Sequence, residues 1–245
     1  MVKRFQICHS HIRIKDSIVD EFLKNYQLFD MFSKHRQYLL MRNALTKLLR
    51  KHVGFRLPKR FIREKPSLAA CLGGLQSLMY PSELAHMLVT MGQAMVGSYL
   101  EVGVSRGGTF FTVDSYLRAL NPKYEISIGV GPGGKLIDLD LYPKDRYQHL
   151  NMKSYDHNPD RQFDAILIDA AHDEQSVRQD FEHYKDYATK FIFLHDIHLP
   201  RNGVEVVWNE LKEKYPKAWE IKASDDEQAE LVGIGVIDMR GDTDD

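Results

Sequence analysis

The stretch Tyr99-Leu100-Glu101-Val102-Gly103-Val104-Ser105-Arg106-Gly107-Gly108-Thr109-Phe110 decides the fold. Its apolar entry, Tyr99, Leu100 and Val102, suits a short strand covered on both faces. Gly103, Gly107 and Gly108 permit positive φ and let a ligand come close to the backbone. From Thr109 onward helical spacing takes over, with Phe110, Val113, Leu117 and Leu120 on one face. A strand that ends in an acid, then a glycine turn, then a helix N-terminus forms a nucleotide-type pocket. The helix end offers unpaired N–H groups, and Glu101 can accept hydrogen bonds from ribose hydroxyls or an amine.

Downstream, strand and helix patterns alternate. Strands are expected at 98–103, 124–130, 148–152, 164–169 and 190–195, and helices at 108–120, 174–187 and 203–214. That alternation argues a parallel sheet built from right-handed crossovers. Two further strands, Trp219–Ala223 and Val232–Ile237, flank only the polar stretch Ser224–Ala229 and are expected to pair antiparallel. Upstream, Pro81-Ser82 opens a helix with Leu84, Met87, Leu88 and Met91 on its apolar face.

Residues 1–15 fit either a short strand or an irregular arm. Asp16 or Ser17 can cap a helix carrying Val19, Phe22, Leu23, Tyr26 and Phe29, and a second helical stretch runs from Leu39 to Val53, ending near Gly54. Two such amphipathic helices cannot bury their apolar faces alone, so they must dock on the body or on another subunit. Residues 55–67, with Pro58 and Pro66, read as a linker. The expected organisation is a basic helical N-terminal extension at 1–67, a main domain at 68–240 and a tail at 241–245.

The formal net charge of -1 hides a strong asymmetry. Residues 1–65 hold 16 Lys/Arg against 5 Asp/Glu, and the rest of the chain holds 17 against 29. The basic segment either packs on the acidic body, within the chain or across a dimer, or meets anionic lipid or nucleic acid. Cys8 and Cys71 form no CxxC and no repeated spacing, which argues against a disulfide framework or zinc knuckle and suits a reducing cytoplasm. No apolar run approaches the roughly 20 residues that span a bilayer, and the N-terminus lacks the apolar core of a signal peptide. The expectation is a cytoplasmic protein with no transmembrane segment.

In an open α/β sheet, ligands bind outside the carboxyl ends of the strands. After the fourth expected strand comes Ile168-Asp169-Ala170-Ala171-His172, and after the fifth Leu194-His195-Asp196-Ile197-His198. Asp169 and Asp196 at adjacent strand ends can ligate magnesium or manganese, or else cap loops or hold a substrate hydroxyl. His172, three residues after Asp169, suits a general base near neutral pH, or else hydrogen-bonds the helix beginning at Asp173. Gly129-Val130-Gly131-Pro132-Gly133-Gly134 matches the GxGxxG dinucleotide pattern, but the acid-alternating segment that follows ends at Pro143 and is a poor helix. The stretch is better read as a loop, a lid over the cofactor, than as a nicotinamide site.

These features together resemble the class I S-adenosylmethionine-dependent methyltransferases. The family's acid-x-Gly-x-x-x-Gly turn is matched by Glu101, Gly103 and Gly107, and the closing hairpin is similar to its sixth and seventh strands. Glu-Val-Gly-Val-Ser-Arg-Gly-Gly-Thr, Ile168-Asp169-x-x-His172 leading to Asp180-Phe181, and His195-Asp196-Ile197 with Gly203-Val204 and Trp208 look like one branch. That branch holds the cephalosporin-hydroxylase-like and macrocin-type O-methyltransferases, and the resemblance covers about residues 76–238. It implies an α/β fold: a Rossmann-like, doubly wound, mostly parallel seven-stranded sheet with an antiparallel C-terminal hairpin. It further implies that Glu101, Gly103, Ser105, Gly107 and Gly108 line the cofactor with Asp169. Ser154 is the residue placed to contact the adenine.

In metal-dependent relatives, the positions of Asp169, His195 and Asp196 hold a divalent cation such as Mg²⁺, and a base falls on His172. Two departures stand out. Gly131 occupies the place of the family's ribose-binding acid, for which Asp138 or Asp140 would substitute by folding back, and Lys153-Ser154 replaces the acid after strand three. The expected activity is O-methylation of a small hydroxylated molecule, a sugar or natural-product intermediate, by a homo-oligomer joined through its N-terminal helices. The alternatives are a nucleic-acid methyltransferase that uses the basic segment for phosphate contacts and a non-catalytic methyltransferase-like binding module.

Overall fold

The computed structural model describes residues 32–33, 36–52, 77, 79–105, 107–132, 147–199, 203–224 and 232–241. The expected arm at 1–15, the helix capped at Asp16 or Ser17, the linker at 55–67 and most of the lid segment lie outside the described residues.

Seven strands form one sheet: β1 (Ser98–Val102), β2 (Ile126–Val130), β3 (Tyr147–Leu150), β4 (Phe163–Ile168), β5 (Ala188–His195), β6 (Ala218–Ile221) and β7 (Ile234–Asp238). Their order is β3-β2-β1-β4-β5-β7-β6. The first five are parallel, whereas β7 runs antiparallel between β5 and β6. The chain reverses its winding direction beside β1, so the ends of β1 and β4 flank the crevice where such sheets bind ligands.

Each boundary that departs from expectation has a local cause. β2 begins at Ile126 because Tyr124 N–H closes a turn on Asn121 O and Glu125 N–H is taken by Gly97 O. β3 stops at Leu150 because Met152 N–H turns back onto its carbonyl. The helix expected at 174–187 is α-helical to Tyr184 and finishes as a tighter 3₁₀ turn over Lys185–Tyr187.

Five α-helices are described along their length: α1 (Arg42–His52), α2 (Pro81–Gln93), α3 (Gly108–Leu120), α4 (Glu174–Tyr184) and α5 (Gly203–Lys214). They cover both sheet faces. Tyr99, Leu167 and Phe193 point to one layer, where they pack with Met87, Leu88 and Phe110 of α2 and α3. Their alternating neighbours Leu100, Ile168 and Leu194 point to the other, against Phe181 of α4 and Trp208 of α5. Complete burial of a side chain such as Phe193 contributes about 2 kcal/mol of transfer free energy. Trp208 fits because Gly235 faces it; a Cβ there would lie 2.4 Å from the indole.

The second expected N-terminal helix is α1, and it docks on the body. Leu39, Leu45 and Leu49 are buried in the same cluster as α2 and α3. Tyr116 OH donates to Leu39 O at 2.9 Å, and Arg36 donates to Leu120 O at 3.1 Å. Among the described residues no helix is long and apolar enough to cross a membrane.

Candidate functional site

The glycine turn after β1 is set by steric necessity. Gly103 has φ 106° and Gly107 has φ 88°, both in the region that disfavours a Cβ. A Cβ on Gly103 would lie 2.1 Å from Asp169 O, so the turn and the end of β4 touch backbone to backbone. The contact is reinforced by Gly103 N–H donating to Val130 O at 2.7 Å and Asp169 N–H donating to Val102 O at 2.8 Å. Gly107 is the N-cap of α3, and Gly108 is the first helical residue, without the positive φ that its sequence context allowed.

Glu101 is buried beside this turn, flanked in the sheet by Gly129 and Leu167. Tyr99 OH donates to its Oε2 at 2.6 Å. Burial pushes the Glu101 carboxyl up to about 8, against the pull of the Tyr99 hydrogen bond and with help from the Asp169 charge. In the ligand-free protein the group is thus largely protonated at neutral pH.

The ends of β4 and β5 bring four side chains together. Asp169, His195 and Asp196 each present a donor atom, and these atoms lie within 4.8 Å of one another. His195 Nδ1 is 3.2 Å from Asp169 Oδ1 and 3.7 Å from Asp196 Oδ1. Asp196 reaches this position with φ 61°, a left-handed conformation that Asp tolerates better than most residues and that re-aims the chain at the strand end. His172 Nε2 lies 3.0 Å from Asp196 Oδ2 and 3.8 Å from Asp169 Oδ1.

His172 therefore faces the cluster and leaves the start of α4 alone. That helix is capped by Asp173, whose side chain accepts from Ser176 N–H at 2.9 Å. The hydrogen bond to Asp196 raises the His172 pKa. For His195, burial favours the neutral ring, but the charges of Asp196 and Asp169 outweigh it and hold the pKa well above the ordinary imidazole value. One proton-bearing imidazole thus sits where two carboxylates converge. A nitrogen and two oxygens at this spacing, with both acids partly open to solvent, fit a divalent cation.

Ser105 is exposed next to the glycine turn. Ser154 opens a 3₁₀ turn after β3, where its hydroxyl bonds the buried Asp180 and its carbonyl accepts from Tyr184 OH at 2.7 Å. Gly131 follows β2 with its N–H on Leu150 O, and Asp138 and Asp140 lie outside the described residues.

No protein-family model and no curated protein sequence matches the chain. Solved structures match it in shape. The O-methyltransferase NovP superposes with a TM-score of 0.55, covering 84% of this chain and 99% of its own at 13% identity. PH1948 from Pyrococcus horikoshii, a proposed RNA methyltransferase, gives 0.52, covering 82% of this chain and 98% of its own at 13% identity. This is the class I methyltransferase fold. In this methyltransferase fold the carboxyl edge of the sheet carries every candidate residue that the sequence singled out near β1, β4 and β5.

Two residues of the site gave no signal in the sequence. Tyr99 looked like one more apolar strand residue, yet its hydroxyl holds Glu101. Glu83 looked like a helix-start acid, yet its carboxylate lies 3.3 Å from His195 across 112 residues of chain.

Proposed function

We propose that the protein is an S-adenosylmethionine-dependent methyltransferase that methylates a hydroxyl of a small molecule, a sugar or natural-product intermediate, with a divalent cation at the acceptor site. The observation that carries this reading is the contact between the Gly103 turn and Asp169, which joins the Glu101 cradle to the Asp169, His195, Asp196 cluster. Glu101 accepts from the ribose hydroxyls, while Gly103, Ser105, Gly107 and Gly108 leave room for the methionine portion, with Asp169 alongside. Ser154 would contact the adenine.

Asp169, His195 and Asp196 would hold the cation, which when bound orients an acceptor hydroxyl and lowers its pKa. His172 takes the hydroxyl proton, its Nε2–H held by Asp196. The acceptor oxygen then forms its bond to the methyl carbon as the carbon–sulfur bond breaks, leaving S-adenosylhomocysteine. Positioning supplies much of the rate, because the two reactants are held in line by separate walls of one cleft. The assembly as a homo-oligomer joined through residues 1–67 is part of the same proposal, and light scattering on the full chain tests it.

The deciding experiment measures S-adenosylhomocysteine release from S-adenosylmethionine over a panel of hydroxylated acceptors, with and without added Mg²⁺ or Mn²⁺. Cation-dependent release that is lost in Asp169→Ala and His172→Ala is expected. Binding of S-adenosylmethionine with no transfer to any acceptor favours the non-catalytic module, and transfer to RNA alone favours the nucleic-acid enzyme.

A further inference from the structure

Glu83 sits in the first turn of α2 and is fully buried. Its Oε1 accepts from Tyr80 N–H at 2.8 Å and lies 3.3 Å from His195 Nε2. Its Oε2 is buried with no hydrogen-bond partner among the described residues. Capping the start of a helix does not require this. An acid in a first turn ordinarily keeps its outer oxygen in water, and a buried carboxylate oxygen left unpaired is costly. What sets this carboxylate apart from a plain helix cap is the second contact of its Oε1, with His195. That ring is also buried, and it spans from Glu83 on one side to Asp169 and Asp196 on the other.

The geometry points to Glu83 as the positioning residue that makes His195 a nitrogen donor toward the cluster, giving a site that takes imidazole-seeking divalent cations in preference to Mg²⁺. This rests on the cation reading above and deepens it. A carboxylate at 3.3 Å accepts and retains the Nε2 proton, so a cation entering between the aspartates displaces the Nδ1 proton and meets the lone pair there. Nδ1 is the atom facing Asp169 and Asp196. Mg²⁺ binds oxygen donors and keeps several waters, so an imidazole in the set gives it little. Co²⁺ and Zn²⁺ accept imidazole nitrogen readily. Without Glu83 the ring can flip or take the other tautomer, and the two aspartates alone treat the cations as any carboxylate pair does.

Three measurements test this on the full-length protein. Calorimetric titration with Co²⁺ and with Mg²⁺, in the absence of cofactor, is expected to show that Glu83→Gln weakens Co²⁺ binding about 10- to 100-fold. Mg²⁺ binding should change far less, so the Co²⁺/Mg²⁺ ratio collapses. The visible absorption of bound Co²⁺ should shift in Glu83→Gln and in His195→Ala alike. In wild-type protein loaded with Zn²⁺, long-range ¹⁵N correlation spectra are expected to show His195 coordinated through Nδ1 with a proton on Nε2. That measurement stands even if the variants fold poorly.

Coordination through Nε2, or an unchanged cation ratio and Co²⁺ spectrum in a folded Glu83→Gln, overturns the role of Glu83 while leaving the cation site intact. Failure of the wild-type protein to bind any of the three cations overturns the cation reading itself.

Discussion

At the scale of single residues, Glu101 makes the sharpest claim. Burial raises its pKa to about 8, yet accepting two ribose hydroxyls requires the carboxylate. On the proposed reading, cofactor binding at neutral pH therefore expels a proton. Calorimetry of S-adenosylhomocysteine binding at pH 7 in buffers of different ionisation enthalpy is expected to report release of close to one proton, and affinity should climb with pH up to about 8. Glu101→Gln should abolish both effects and weaken binding about 10- to 100-fold, the worth of hydrogen bonds to a charged group. The same shift has a sign in stability. The folded pKa lies above the unfolded one, so this group's contribution falls as pH rises from about 4.5 to about 8, and Glu101→Gln should flatten that slope.

Glu101, Asp169, His172, His195 and Asp196 were legible in the sequence because each stands just after, or ends, a strand whose apolar run is unmistakable. Glu83 was not, because a Glu two residues after a proline is what any helix start looks like. Its partner, His195, is supplied only by the packing of α2 against the sheet.

At the scale of elements, the two ends of the sheet divide the work. At the amino end, Asp164 accepts from Gly97 N–H at 2.7 Å and Thr189 OH at 2.8 Å, and pairs with Lys190 at 2.9 Å, lacing β4 to β1 and β5. Burial would raise its pKa, but the Lys190, Gly97 and Thr189 hydrogen bonds prevail and hold it below the usual carboxylate value. The stabilisation is complete above the unfolded pKa and is lost as pH falls through the lower folded value. Asp164→Asn is expected to cost about 1–2 kcal/mol at pH 7 and to melt with the wild type under strong acid, as thermal scans across pH would reveal.

At the carboxyl end, α4 and α5 meet at their starts. Gly203 N–H donates to His172 O at 2.6 Å, and a Cβ at Gly203 would lie 1.9 Å from Glu174 N. Gly203→Ala must push the two helix starts apart and drag His172 with them. Methyl transfer is expected to fall more than about tenfold, with S-adenosylhomocysteine affinity changed far less, since the cradle belongs to β1 and α3. Equal losses in both would contradict that division. The helix and strand patterns foretold both elements but not this junction, because it depends on two loops about 30 residues apart meeting over the sheet.

At the scale of the whole molecule, the parallel core and its antiparallel closing pair were readable from the chain alone. Buried parallel strands announce themselves as apolar runs, and the short polar gap between Ala223 and Val232 leaves no length for a crossover. The insertion of β7 between β5 and β6 was not a matter of pattern but came with the family resemblance. Of the two expected N-terminal helices, α1 packs on α2 of the same chain, with Leu39, Leu45 and Leu49 buried in the body's cluster, while the first lies outside the described residues.

The touch between Gly103 and Asp169 has a thermodynamic consequence. Asp169 helps keep the proton on Glu101, so whatever neutralises Asp169 makes Glu101 a better acceptor. If the proposed cation and cofactor both bind here, they are heterotropic partners linked by one carboxylate. By reciprocity, the factor by which Mn²⁺ tightens S-adenosylhomocysteine must equal the factor by which S-adenosylhomocysteine tightens Mn²⁺. A fivefold or greater mutual effect is expected from paired titrations, shrinking toward unity in Glu101→Gln. On the proposed reading the site would fill as a unit, with its two cargoes recruiting one another before the acceptor arrives.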